Sequence, residues 1–394
     1  MEALLECCCG IDVHKDVLQA CILRGLTDNP EIIHAKFTMM PEGLEAMVQW
    51  LLQHDCKNIA MESTGVYWRP VYEMIEEHHS THELLMVVNA HHMRNVPGRK
   101  SDVNDAEWIA KLLRHKLLQA SFVPDKLTRN LREYTRIYRA YVQEKSRYLN
   151  RLEKFLQSHG IKLSTVVSDI YGVSGRRLLI KLSETGYLLP VDVIEAVSTR
   201  IKKSMAEIHE AVRGRLSSVE RKLLKTLLTK VDQIHREIEE LLADIHEVVQ
   251  PFQHATQQLD SIPGIDILAA TTIVAEISAK PDQHFSTGAK LCSWAGLSPR
   301  NDESAGKVKS RKILHGNPYV KSILCQVAWA AVRVRKSAFS LWFWSHQGKL
   351  GMKKAIIAVA RKILMLCYKL LKSGEFYDSN IALKAHSSLL QYNS

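Results

Sequence analysis

The chain has 394 residues, 46% hydrophobic and 24% charged, and its 53 Lys and Arg against 42 Asp and Glu give a formal net charge of +11. That length and apolar content exclude a disordered chain and leave room for two or three domains with cores of their own. No apolar run reaches the roughly 18 residues of a membrane span, and the basic balance points to a polyanionic partner.

Glu2 and Glu6 flank the early apolar residues, which argues against a secretory signal. The eight cysteines include no Cys-x-x-Cys pair. Cys7, Cys8 and Cys9 are adjacent within a strand, so they alternate faces and read as small apolar residues of a reducing compartment.

In chain order, residues 7–12 form a short apolar strand that ends in an acid, Asp12. Strands follow at 17–23 and, after the turn Thr27-Asp28-Asn29-Pro30, at 32–37. Leu44, Met47, Val48, Leu51 and Leu52 then recur at helical spacing behind Pro41. Residues 58–62 form a second strand ending in an acid, Glu62. A helix at 67–78 and a strand at 84–89 come next. A helix over 101–113 closes the unit, with Asp102 and Asp105 three residues apart on one face. Three meandering strands followed by alternating helix and strand predict a mixed α/β sheet flanked by helices. The order is that of the ribonuclease-H-like fold, in which the first strand lies beside the fourth and brings two acids together.

Asp12, Glu62, Asp102 and Asp105 are therefore the candidate site. Carboxylates at two strand ends facing two on a helix form an oxygen-rich cup suited to a hard cation such as Mg2+. A pair of such ions can clamp the attacking and leaving oxygens of a phosphodiester. Each acid also has a plainer reading: Asp12 and Glu62 as turn residues, Asp102 and Asp105 as acids complementing a helix dipole. Asp16 rivals Asp12 but lies beyond the strand end. Their joint placement is what favours a site.

Residues 127–159 predict a long helix on which Tyr134, Tyr138, Tyr141, Tyr148, Leu152 and Phe155 nearly keep a heptad broken at Lys145. Its interspersed arginines suit either a nucleic-acid surface or a solvated partner helix. Residues 161–219 read as shorter helices with turns at Gly172, Gly175 and Gly186. Val231, Ile234, Ile238, Leu241, Ile245 and Val248 form a coiled-coil seam, for an oligomer or for a bundle within the chain. Residues 259–265 with 269–277 resemble a helix–hairpin–helix, whose turn could offer backbone N–H groups to phosphate; a plain αα-hairpin fits equally.

Residues 301–312 then read as a loop carrying Ser304, Gly306 and Ser310. Arg300, Lys307, Lys309, Arg311 and Lys312 give it five basic residues. Behind Gly316-Asn317-Pro318, apolar helices at 320–332, 339–344 and 353–371 supply core, and a tail begins at Asp378. This yields three domains: 1–125 α/β, 126–255 helical and coiled-coil, and 256–394 mainly helical. Nucleic-acid contacts are expected at Lys15, Arg99, Lys100, Arg300, Lys307, Lys309, Arg311, Lys312 and Asn317.

Gly10-Ile11-Asp12-Val13-His14-Lys15, Met61-Glu62-Ser63-Thr64-Gly65-Val66-Tyr67-Trp68 and Lys100-Ser101-Asp102-Val103-Asn104-Asp105-Ala106 resemble the DEDD transposases of bacterial insertion sequences. Ile262-Pro263-Gly264-Ile265, Ala295-Gly296-Leu297-Ser298-Pro299-Arg300, Ser304-Ala305-Gly306-Lys307 and Gly316-Asn317 resemble the same family's second domain. The resemblance implies a RuvC-like N-terminal domain in which Asp12, Glu62, Asp102 and Asp105 bind Mg2+. It implies Ser304 as a nucleophile forming a phosphoserine–DNA intermediate, with Ser310 as the fallback because Ala305 stands where the family often has glycine. It further implies donor and target DNA chosen by a structured bridge RNA, a homotetramer built as a dimer of dimers, and a bacterial, nucleoid-associated cytoplasmic location. Two other readings stay open: a RuvC-like junction nuclease that cuts with activated water, and a non-catalytic nucleic-acid-binding protein.

Overall fold

The computed structural model describes residues 5–26, 29–63, 65–89, 104–196, 204–299, 302–304, 307–310, 313 and 315–379. Two compact units, Met1–Val123 and Pro124–Ser394, are taken separately below.

In the first unit, β1 (Cys7–Val13), β2 (Val17–Arg24) and β3 (Glu31–Thr38) form an antiparallel meander. Helix α1 (Pro41–Gln53) crosses to β4 (Asn58–Glu62), and α2 (Trp68–His78) leads to β5 (Leu84–Val88). The sheet order is β3-β2-β1-β4-β5, with β4 parallel to both β1 and β5. The first strand thus lies beside the fourth, as the ribonuclease-H-like order requires. Both faces of the sheet are covered, which is why central β1 is buried from Cys8 to Val13 instead of alternating. Cys9, Ile11, Ile59 and Met61 pack with Leu44, Met47 and Leu51 of α1 on one face. Cys8, Cys21 and Ala60 pack on the other face, beneath α3 (Asp105–Arg114). The cysteines are free, and burial raises the Cys8 thiol to about 12, so they act as small apolar residues.

Two details fix α3. Its first residue is Asp105, because Asn104 has extended dihedrals and its side chain caps the helix by accepting from the Ala106 N–H. The helix therefore starts four residues later than the sequence suggested, and Asp102 lies outside the described residues. The second detail is Gly10. A Cβ there would stand 2.2 Å from the Ala106 carbonyl oxygen and 2.4 Å from the Ala110 nitrogen. The helix rests directly on the strand at the one position that has no side chain.

The second unit is mostly helical. Helix α4 (Lys126–Ser158), capped by the Asp125 carboxylate, runs beside α8 (Ser218–Val248), which opens with a Ser217–Glu220 capping box. Between them come α5 (Val173–Thr185), α6 (Pro190–Ala196) and α7 (Met205–Ala211). Leu152, Leu156, Leu178, Leu182, Leu224 and Leu228 share one core. The seam residues Val231, Ile234, Ile238 and Ile245 are buried within the single chain, so the intramolecular bundle is what the structure contains. Gly172 precedes α5 and Gly186 ends it in the left-handed region, as read from the sequence. Gly175 does not form a turn: it is buried inside α5, where a Cβ would meet the Ile170 carbonyl oxygen at 2.4 Å.

Helices α9 (Gln253–Asp260) and α10 (Ile267–Ile277) form the predicted hairpin. At its turn Gly264 has φ +92, and its backbone abuts that of Ala331, giving the glycine a packing role. After α11 (Gly288–Trp294), the stretch expected to be a loop contains a two-stranded antiparallel ribbon, β6 (Asp302–Ser304) and β7 (Lys307–Ser310). The Pro299–Ile313 bridge continues its ladder. Helices α12 (Pro318–Ala331), α13 (Ala338–Leu350) and α14 (Met352–Ser373) complete the unit. Among the described residues, no helix is long and apolar enough to cross a membrane.

Gly10→Ala is expected to lower stability by about 1–3 kcal/mol, the usual cost of overpacking, by pushing α3 off β1. Chemical denaturation followed by circular dichroism measures it; an unchanged midpoint would show that the contact gives way freely.

Candidate active site

Ile11 of β1 pairs with Met61 of the parallel β4, so Asp12 and Glu62 are the next residues on neighbouring strands. Side chains alternate along a strand. Ile11 and Met61 enter the α1 side of the sheet, and Ala60 the α3 side. Asp12 and Glu62 therefore take the α3 side, at the carboxyl ends of both strands. Asp105 opens α3 at the same corner. Asn104 Nδ2 donates to Gln19 Oε1 at 2.9 Å, and Gln19 is the cross-strand partner of Asp12. Three of the four predicted acids are thus carried to one edge by strand register, helix start and a side-chain tie.

Asp12 is only 6% exposed, whereas Glu62 and Asp105 are half-buried. His14 Nε2 lies 3.1 Å from Asp12 Oδ2. His14, Gln19 and Asn104 were not singled out from the sequence; His14 alone left a trace there, two residues past the acid and just beyond the strand end. One turn into α3, Glu107 pairs with Lys111 at 2.5 Å and with His34 at 3.7 Å. Among the described residues, no three His, Cys, Asp or Glu side chains sit close enough to hold a metal ion. Asp102 is not among those residues.

Of the expected nucleic-acid contacts, Lys15 is exposed in the turn between β1 and β2. Arg99, Lys100, Arg300, Arg311 and Lys312 lie outside the described residues. Ser304 pairs with Lys307, the ladder position nearest residues 305 and 306, which also lie outside them. A register shift leaves Lys309 without a backbone partner, since Glu303 pairs with Val308 and Asp302 with Ser310. Asn317 is occupied within the protein. Its Oδ1 accepts from the Tyr319 and Val320 N–H groups at 2.8 and 3.1 Å, and its Nδ2 donates to Glu276 Oε2 at 2.6 Å.

Glu276, on α10, is fully buried and was missed from the sequence because it sits inside an otherwise apolar helix. Arg136 of α4 grips it with two bonds, Nε to Oε1 at 2.7 Å and Nη2 to Oε2 at 2.9 Å. Arg132 donates to the Ala275 and Glu276 carbonyls at 3.0 and 2.9 Å. Burial lowers the Arg132 pKa to about 10, with Glu276 opposing that shift. The Asn317 bond extends this network to the base of the β6–β7 ribbon. A Cβ on Gly316 would fall 2.2 Å from the Gly296 nitrogen, so the backbone before and after the ribbon is packed together at these two glycines.

Residues 9–161 match the DEDD transposase family of the IS110 type, and residues 256–342 match the transposase IS116/IS110/IS902 family. The chain belongs to the IS110 family of DEDD transposases. It is similar to the transposase for insertion sequence element IS1111A of Coxiella burnetii, 24% identical over 378 residues that cover 93% of this chain and 90% of that protein. It is also similar to the candidate transposase y4rJ of Sinorhizobium fredii, at 26% over 262 residues, 64% of this chain and 60% of that protein. A protein of insertion element IS110 from Streptomyces coelicolor is 22% identical over 162 residues, 40% of this chain and 39% of that protein. As an IS110-family transposase the chain acts in DNA transposition, cutting and rejoining DNA. Both matched segments contain predicted motifs: Asp12, Glu62, Asp102 and Asp105 fall in the first, Ser304 and Asn317 in the second.

Glu276→Ala is expected to cost about 3–5 kcal/mol, because it strands buried guanidinium charge. Glu276→Gln should recover part of that loss, because the amide oxygen can still accept a hydrogen bond. Urea midpoints of both variants test this; a cost below about 1 kcal/mol for the alanine variant would show that water restores the balance.

Proposed function

We propose that this transposase cuts and rejoins donor and target DNA with carboxylates Asp12, Glu62, Asp102 and Asp105 and the nucleophile Ser304. The observation that carries the reading is the convergence of Asp12, Glu62 and Asp105 on one corner of the first unit. Their donors are all oxygen, one member nearly buried, which is the chemistry a hard divalent cation such as Mg2+ takes, although the three described carboxylates do not by themselves stand close enough to hold one. Bound there, the cation would supply positive charge to the phosphate under attack.

The chain's own residues do the rest. Asp12 is held in a sheet that cannot shift register without turning its apolar side chains to the wrong face, and His14 fixes one of its oxygens. A serine hydroxyl is a weak nucleophile unless its proton is drawn away. In the proposed step the Ser304 Oγ–phosphorus bond forms as a phosphorus–oxygen bond to a sugar breaks. The serine proton leaves, and the departing sugar oxygen takes one up. The number of phosphate ester bonds is unchanged, so religation needs no ATP. In this reading Lys307 and Lys309, with Arg300, Arg311 and Lys312 of the same basic stretch of sequence, offset phosphate charge. Guidance by a bridge RNA and assembly as a tetramer belong to the same reading. They are supported by the family and by a net charge of +11 suited to gripping backbones while base pairing selects sequence.

The test is a cleavage assay on labelled element-end DNA, resolved under denaturing conditions to display protein–DNA adducts. Asp12→Ala and chelation should each reduce cleavage to background, and Ser304→Ala should abolish the adduct while Ser310→Ala retains it. Undiminished cleavage by Ser304→Ala would identify water as the nucleophile.

A further inference from the structure

Helices α4, α10 and α12 of the second unit line a half-open cavity of about 350 Å³ that neither the carboxylates nor the ribbon uses. Leu268, Ile323 and Val327 give it apolar lining, while the half-buried Tyr138 and Arg139 and the exposed Gln143, Asp266 and Gln326 supply polar groups around it. Several of these have no task inside the protein. The Tyr138 hydroxyl and the Gln143 and Gln326 amides bond to no other described residue. Asp266 Oδ1 caps α10 by accepting from the Ala269 N–H at 2.7 Å, which leaves Oδ2 to accept from something else. Burial, and then the Asp266 charge, raises the Tyr138 pKa, so its hydroxyl remains a donor at neutral pH. The Arg139 guanidinium lies 5.1 Å from the Tyr319 ring centroid, which sets a flat cationic group at the cavity wall.

The volume lies at the small end of the ~300–1,000 Å³ range of ligand pockets, room for a single planar ring system. Apolar lining, aromatic and guanidinium surfaces, and uncommitted amide and carboxylate groups are the features that hold an unstacked base and read its edge. In a DNA-acting chain of net charge +11, the planar group at hand is a nucleobase.

We propose that this cavity receives one extruded nucleobase from a single-stranded stretch of nucleic acid, and that Asp266 makes guanine the preferred base. A carboxylate only accepts. Guanine presents adjacent N1–H and N2–H donors, whereas thymine and uracil put carbonyl oxygens on either side of their single N3–H. The inference rests on the family's action on DNA and is independent of the roles assigned to the four acids and to Ser304.

Fluorescence anisotropy of the full-length protein tests it, using labelled thymidine heptamers with or without one central guanine, and the matching uridine series. The guanine-bearing strand should bind about tenfold more tightly in at least one series, the scale of one good bidentate base contact. The series that shows the preference identifies DNA or RNA as the source. Asp266→Asn keeps the helix cap, since Asn caps as well as Asp, yet should bring the guanine ratio close to one. Ala330→Trp, which fills the cavity from an exposed position, should do the same, with affinity for the unsubstituted strand retained. A wild-type ratio of one in both series, or a preference that survives Asp266→Asn or Ala330→Trp, overturns the proposal. A cavity that instead seats a protein side chain gives the first of these results.

Discussion

The contact between Gly10 and helix α3 is the constraint on which the carboxylate corner depends. A helix carrying an acid in its first turn can reach a strand-end acid only if its axis comes close to the sheet. Any side chain at position 10 would hold it away, since even a Cβ would overlap the backbone at Ala106 and Ala110. The small residues Ala106 and Ala110, one turn apart, are the helix's half of the same fit. Asp12 stands two residues beyond Gly10 on the same strand face, and Asp105 one residue before Ala106. The close approach and the placing of Asp12 and Asp105 at one edge of the sheet therefore share one geometric cause. The Asn104–Gln19 bond then sets where the helix begins, at little energetic cost because both side chains lie near the surface.

A different kind of constraint organises the second unit. Glu276 has no exposed surface, and a buried carboxylate is tolerated only when paired and fully hydrogen-bonded. Arg136 supplies the fork geometry that lysine lacks, and it also lies over the Tyr319 ring, 4.1 Å from its centroid. Asn317 takes the remaining direction on Oε2. The pair adds little net stability against an apolar replacement. What it contributes is placement: only one arrangement of α4, α10 and α12 satisfies every donor, so the base of the β6–β7 ribbon is held in one position.

Much of the first unit was legible from the residues. Strand-length apolar runs closed by acids, and the order of three strands before alternating helix and strand, gave both the sheet and the neighbouring positions of Asp12 and Glu62. The start of α3 was not legible, because Ser101, Asp102 and Asn104 are all good capping residues; tertiary contact between Asn104 and Gln19 chooses among them. The lysines and serines of the β6–β7 ribbon match loop composition, which hides the two strands. The period-two placement of Lys307 and Lys309 around Val308 was the signal passed over. Gly175 suggests a turn because glycine breaks helices on average, whereas in the structure it admits the Ile170 backbone. Glu276 could not be foreseen, since its arginine partners lie about 140 residues away in sequence.

The near-heptad aromatic stripe of α4 posed a choice between nucleic-acid surface and partner helix, and the structure divides it by position. Leu152 and Leu156, towards the carboxyl end, are buried in a leucine core with α8, so that half is a partner helix. At the break in the heptad, Lys145 meets His235 at 3.1 Å and lies over the Tyr171 ring, which marks where core gives way to polar contacts. In the amino-terminal half, Arg132 and Arg136 turn to Glu276 while Tyr138 and Arg139 border the cavity. Successive turns of a helix present different faces to different neighbours, so one regular repeat serves three environments. Periodicity reveals that a face is used; the residues across from it decide what for.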